Sequence, residues 1–473
     1  MASGRLVFLS DDEVAWVHET SLRILQEIGI KVLSKKVQSL LRENGAEVDA
    51  SSSIVKIPSS LVEEAIKKAP KEIVLYGRDP KYDLKLPSKS FTFIATSGFA
   101  TFTRDFETGE KRMTTSVDLK NFAVLADYLE GVDFFWPIVT PTELPHHIQA
   151  VQAVAISLEN TAKHVQFGGA LSEREAKWHI KLASAVVGDE EKLRKRPIVS
   201  SVNCPVSPLV FEEGSCEATV EFAKAEIPVV PMSMALCGST APATIAGTLT
   251  LANAENLGAL VILQCSRPGA PMIYCAESTS ADMRTGGINY RAPELPLIAA
   301  GIAQMARFYK LPCYATECGL DETPDDLEAL LAASKWLALA HLSRGDISAG
   351  LGSLESAQSS ALEQVILDIE AWVFARAYMR SFDFNEETLA FGAIKKVGPG
   401  GNFLGLKHTL EHFRKEIWLK KEFTILPSTN GSLVKRAKEK VKQILSSHTP
   451  PQLDRQVTKE IKQILCNCEK DVS

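Results

Sequence analysis

From residue 91 onward a short β-rich run followed by a longer helical run recurs eight times. No other feature constrains the fold as much. The spacing predicts strands over 91–97, 133–140, 164–168, 197–203, 228–234, 271–277, 312–317 and 346–353. It predicts helices over 117–129, 147–158, 173–187, 212–225, 243–264, 294–309, 325–343 and 361–379. Several strands open directly on a proline, at Pro197, Pro228, Pro271 and Pro312. Proline is tolerated there because its missing N–H falls outside the strand ladder. Strictly alternating strands and helices imply a parallel sheet. Eight units in under 300 residues fit a closed (β/α)8 barrel. The rival is an open doubly wound sheet, but no GxGxxG follows the first strand, and the strands are short and evenly spaced.

On either side of this region the pattern differs. Residues 1–90 read as a helical module, with apolar residues at helical spacing over 11–30, 34–43 and 59–68. Residues 91–381 form the barrel, and residues 382–473 a C-terminal extension. The extension carries a glycine-rich loop at 398–405 and amphipathic helices near 408–421, 432–445 and 456–465. The last helix is expected on the surface or against a neighbouring subunit, and such helices suit a homo-oligomer.

The 58 acidic residues outnumber the 52 basic ones, for a net charge of −6, which argues against nucleic acid as a partner. The longest apolar run, residues 241–265, is broken by Asn253, Glu255 and Asn256, so no membrane span is expected. The N-terminus lacks a signal-peptide pattern, which points to the cytoplasm. The nine cysteines are read as free thiols, and none has zinc-finger spacing, so no metal site is assigned.

In a barrel, functional side chains come from the C-terminal strand ends. Glu277, Glu317 and Glu355 close the sixth, seventh and eighth strands. Acids converging on one mouth attract a cation; the alternative is a rim pair with an arginine such as Arg284 or Arg291. Phe99, Trp136 and Tyr274 lie near the same ends. A quaternary ammonium has no N–H to donate and is held by aromatic faces and nearby negative charge. The alternative for a strand aromatic is the core. Gln166, Asn203 and Ser233 are further polar strand-end residues.

Six segments carry a resemblance: HETSLRILQEIGIKVLSKKVQSLLRENGAEVD from His18, TSGFATFTRDFETGEKRMTTSVDL from Thr96, GSTAPATIAGTLTLANAENLGALVILQCSRPGAPMIYC from Gly238, SADMRTG from Ser280, GLGSLESAQSSALEQVILDIE from Gly350 and VGPGGNFLGLKHTLEHFR from Val397. In this order they resemble the trimethylamine methyltransferase family of corrinoid-dependent enzymes over nearly the whole chain. The resemblance implies a (β/α)8 barrel that moves a methyl group from a methylated amine to the Co(I) of a corrinoid carried by a partner protein. Founding members use pyrrolysine, which this sequence lacks; the matching region is near 316–319. Members without it use quaternary amines, and glycine betaine is the leading expectation. Under this reading Glu277, Glu317 and Glu355 serve the cation, Trp136, Tyr274 and Phe99 face its methyl groups, and Arg284 or Arg291 takes a carboxylate. Gln166, Asn203 and Ser233 then meet the incoming corrinoid. Alternatives are another betaine (proline betaine, carnitine, γ-butyrobetaine), a zinc-dependent thiol or alcohol methyltransferase, or a non-catalytic betaine-binding barrel.

Overall fold

The computed structural model describes residues 7–89, 91–290, 292–317, 343–379, 382–416, 426 and 431–472. Its centre is a set of parallel strands. Phe93–Thr96 bridges to Phe134, and Phe135 bridges to Val165–Gly168. That strand pairs with Val199–Val202, which pairs with Val229–Val230. Val229 bridges to Met272, at the head of Tyr274–Cys275. Tyr274–Cys275 pairs with Cys313–Glu317, and that with Ile347–Leu351, which pairs with Phe93–Thr96. The expected strand 133–140 survives only as bridges at Phe134, Phe135 and Val139, because Pro137 has no N–H to donate. The helix expected at 325–343 falls almost wholly outside the described residues.

Strand alternation divides the side chains between two cores. The inner face collects Ala95, Phe134, Trp136, Val202, Val230, Ile273, Cys275, Tyr314, Ile347 and Ala349. The outer face, with Val165, Phe167, Val199, Val229, Tyr274 and Cys313, packs under the helices. Helix Ile245–Ser266 is long and apolar enough to cross a membrane, yet most of it is buried inside this fold.

The expected N-terminal helices are present as Asp11–Arg23, Lys35–Glu43 and Ser59–Lys68. The first has a capping box, with Ser10 and Glu13 each satisfying the other's backbone N–H. Several short strands between them did not show in the helical pattern. One hairpin, Ile73–Leu75 with Leu84–Leu86, sends Ile73, Leu75, Leu84 and Leu86 into the inner core. Each such side chain contributes roughly 1.5–3 kcal/mol by burial. The hairpin enters at the N-terminal strand ends, where the Tyr76 carbonyl meets His164, leaving the C-terminal ends for a site. At the other end of the chain, Arg455–Val472 lies on the surface as expected, with most of its side chains exposed. It buries Ile461 and Cys468 in the outer core of its own chain.

Helix Ser116–Tyr128 ends on a buried cation. Lys163 Nζ donates to the carbonyls of Ala126, Leu129 and Val132 at 2.6, 2.7 and 2.6 Å. These carbonyls have no helical partner of their own. Burial lowers the Lys163 pKa to about 8, with Asp133 and Asp127 opposing the shift. Lys163→Met keeps the stem and removes the donor from all three oxygens, of which Leu129 O retains the Val132 N–H. It is expected to cost about 3–5 kcal/mol in urea unfolding; a loss below about 1 kcal/mol would show that the oxygens find other partners.

Candidate active site at the C-terminal strand ends

Trp136 joins Phe134 on the inner face, and its ring meets Tyr314 edge-on, with centroids 6.2 Å apart. Phe99 contacts Trp136 edge-on at 5.6 Å. Phe99 itself has φ of +60°, a left-handed conformation that is costly for an aromatic residue. That conformation lays its ring against Gly168, where a Cβ would come within 2.3 Å of the ring. Phe99 is about one-third exposed, whereas Trp136 and Tyr314 are buried. Three aromatic rings from three different strands thus meet in sequence, Phe99 on Trp136 and Trp136 on Tyr314.

Polar groups share this inner face. Glu277 lies two residues beyond Cys275 and four beyond Ile273, both inward-facing, and it is fully buried. Ser97 is two residues beyond the inward Ala95. Ser97 Oγ and Trp136 Nε1 are buried with no hydrogen-bond partner among the described residues. Leaving such groups without a partner costs about 1–3 kcal/mol each.

Gln166 is also buried on this face, next to Ser200 and His164. His164 Nδ1 lies 3.0 Å from the Tyr76 carbonyl and Nε2 lies 2.9 Å from Ser200 Oγ. Burial lowers the His164 pKa to about 4, so the ring is neutral near pH 7. A carbonyl only accepts, so Nδ1 carries the proton and Nε2 accepts from the Ser200 hydroxyl. Ser200 Oγ sits 3.5 Å from Gln166 Oε1, but its single proton is already committed. Exchanging the amide O and N satisfies both groups: N–H2 faces Ser200 and the amide oxygen faces the inner cavity.

Other expected site residues lie elsewhere. Tyr274 belongs to the outer face; its hydroxyl donates to Asn253 Oδ1 beside Tyr309, because it is one residue out of phase with Cys275. Asn203 is held outside by Ser201 Oγ and donates to the Ser215 carbonyl. Ser233 is likewise turned to helix Ile245–Ser266, donating to Glu255. None of these three faces the aromatic group.

Glu355 is ion-paired with Arg104 at 3.1 Å and Lys111 at 2.6 Å, both on the hairpin Phe102–Arg104 and Lys111–Met113. It begins a run of three residues with positive φ, Glu355 (51°), Ser356 (54°) and Ala357 (64°). Each costs on the order of 1–2 kcal/mol, so the ion pairs serve to pin a strained turn. Arg284 is 89% exposed in the turn of the hairpin Thr279–Ala281 and Ile288–Asn289, 3.6 Å from Asp282. Arg291 and the side chain of Glu317 lie outside the described residues. Among the described residues no group of three His, Cys, Asp or Glu side chains is set to hold a metal.

The family model for trimethylamine methyltransferase (MTTB) matches residues 3–471. The chain belongs to the trimethylamine methyltransferase family. A trimethylamine methyltransferase MttB of Desulfitobacterium hafniense is 34% identical, over 98% of this chain and 95% of that protein. One from Methanosarcina barkeri is 31% identical, over 98% and 96%. A glycine betaine methyltransferase of Desulfitobacterium hafniense is 29% identical, over 98% and 97%. The solved monomethylamine methyltransferase MtmB of Methanosarcina barkeri is 12% identical with a TM-score of 0.48, over 97% of this chain and 92% of that one.

In this member of the trimethylamine methyltransferase family the strained turn rests on a buried acid. Asp368 Oδ2 accepts from Gly352 N at 2.7 Å, and Oδ1 accepts from Gln364 at 2.7 Å. Burial raises the Asp368 pKa to about 7, against about 4 when unfolded. The folded state therefore keeps a proton that the unfolded chain releases, and stability falls as pH rises from about 4 to about 7. Asp368→Asn preserves shape: its oxygen accepts from Gly352 N, and its N–H2 donates to Gln364 Oε1 once that amide is turned over. It is expected to match wild type at pH 4 and to be more stable at pH 8 by roughly 2–4 kcal/mol in urea unfolding. A less stable variant at pH 8 would contradict this.

Proposed function

We propose that this chain is a quaternary amine:corrinoid protein methyltransferase of the branch that works without pyrrolysine. The observation that carries this reading is the meeting of Phe99, Trp136 and Tyr314 on a face that also holds the Glu277 carboxylate. We read the successive parallel pairings as a closed (β/α)8 barrel with this group at its mouth. Glycine betaine is the reference substrate, supported by the likeness to a glycine betaine methyltransferase. The absence of pyrrolysine from the sequence supports the same branch.

The chemistry needs little from the protein beyond placement. A quaternary nitrogen is already cationic, so its methyl group departs from a neutral tertiary amine and no general acid is required. The acceptor is the Co(I) of a corrinoid carried by a separate protein, a second substrate rather than a group resident here. The C–N bond pair stays on nitrogen, and the cobalt pair forms the new bond to carbon. The aromatic rings face the polarised methyl groups, and Glu277 supplies the balancing charge. Nitrogen loses its charge during transfer, so these contacts hold the substrate more strongly than the product amine. Rate enhancement then comes from alignment of methyl and cobalt. The partner approaches from the C-terminal strand ends, where Phe99 is the exposed ring. We place the protein in the cytoplasm. We also propose assembly with further copies through residues 382–416, where Phe384, Phe391, Leu404 and Leu410 are exposed.

The test compares glycine betaine with 3,3-dimethylbutanoate, its uncharged-head carbon isostere, by titration calorimetry. A cation held by rings and a carboxylate is worth about 2 kcal/mol over the isostere, so betaine should bind at least tenfold tighter. Glu277→Gln and Trp136→Ala should each erase most of that gap. Equal affinity of wild type for both ligands would reject the cation site.

A further inference from the structure

The wall of parallel strands is interrupted beside the aromatic group. The segment carrying Phe135 and the strand Val165–Gly168 stay bonded as far as Gln166 N, which donates to the Phe135 carbonyl at 2.9 Å. Beyond that point Pro137 has no N–H to donate. The chain leans the other way: Ala100 N donates to the Ile138 carbonyl at 2.9 Å, and Thr140 N to the Ala100 carbonyl at 3.0 Å. Gly168 and Gly169 face the gap with no side chain to fill it. Among the described residues no further backbone bond joins the two segments above Gln166.

The Phe99 ring occupies this gap. It lies against Gly168 and meets Trp136 edge-on at the inner side. On the other side it lines a cavity of about 520 Å³, together with Pro137, Gly168 and Gly169. The cavity runs outward over Val151, Val154 and Phe167, between helices His146–Asn160 and Glu173–Val187. Its volume is ample for a small methylated amine. Trp136, Tyr314 and Glu277 are buried and do not line it, so Phe99 is the member of the group that stands between them and the cavity.

Little fixes the ring in this position. It makes no hydrogen bond, and the Phe99 carbonyl is tied by Thr140 Oγ1 at 3.2 Å. Its φ of +60° costs on the order of 1–2 kcal/mol against the right-handed form, so leaving the closed position returns that strain.

We propose that Phe99 is the gate of a lateral passage by which the methylated amine enters the aromatic site and the demethylated amine leaves. The inference rests on the quaternary-amine reading and adds a route to it. Two substrates must meet at this site, and the corrinoid carrier covers the C-terminal strand ends during transfer. A side passage exchanges the small amine without release of the carrier. The ring swings into the cavity to admit the amine and returns to exclude water and face its methyl groups.

The test reads binding rates on the full chain, with glycine betaine and tetramethylammonium as probes. Stopped-flow tryptophan fluorescence gives the association and dissociation rate constants, and titration calorimetry gives Kd. Ala153→Phe and Ala150→Trp each put a ring into the passage from helix His146–Asn160, outside the aromatic group. Each should slow association and dissociation alike, by about tenfold, and leave Kd within about twofold, because a blocked route raises the barrier and leaves the bound state alone. Ala150 is exposed, so Ala150→Trp decides the matter should Ala153→Phe not fold. Unchanged rates in the folded variants, or a raised Kd with unaltered association, would overturn the passage and leave the aromatic site standing. Failure of wild type to bind either probe would instead sink both the passage and the quaternary-amine reading.

Discussion

The two-residue period of the parallel strands governs most of what this molecule can do. One residue of phase separates Cys275, inside, from Tyr274, outside, where its hydroxyl serves Asn253. The same alternation sends Trp136, Gln166 and Glu277 inward and leaves Asn203 and Ser233 to fasten helices. The site we propose therefore draws on side chains in one phase at one end, because the Ile73–Leu86 hairpin fills the other end with aliphatic groups.

The alternating strands and helices were legible because each element carries its own periodicity. Proline starts and glycine stops marked the boundaries well enough to place the parallel strands of the centre. What escaped was structure made by pairing at a distance. Strands of two or three residues, such as Ile73–Leu75 or Phe102–Arg104, are too short to show a period, and their partners lie in loops. The C-terminal helix was legible as a surface element, but its packing partner was not. Its amphipathic pattern announces an apolar face but not that helix Glu173–Val187 of the same chain covers it.

For the site, residue type was readable and direction was not. Of the strand-end carboxylates and aromatics expected at the site, Phe99, Trp136 and Glu277, with Gln166, gather at or on the inner face. Tyr314 was missed as a contact partner because it sits mid-strand, three residues before Glu317, and reaches Trp136 only in three dimensions. For Glu355 the rim-pair alternative holds, but its cationic partners, Arg104 and Lys111, come from a hairpin some 250 residues earlier rather than from Arg284 or Arg291. Strict counting from each strand's inward aliphatic residues would have sorted Tyr274, Asn203 and Ser233 in advance. It would not have found the cavity beyond Phe99, which two helices and the C-terminal segment build jointly.

Methyl transfer itself is the most direct test of the account. Free cob(I)alamin is followed spectroscopically with wild-type protein, using glycine betaine, γ-butyrobetaine, carnitine and trimethylamine as donors. The account predicts methylcobalamin from at least one quaternary amine and none from trimethylamine, because only the quaternary nitrogen leaves neutral without further activation. Methylation from trimethylamine alone, or from no donor at all, would contradict it.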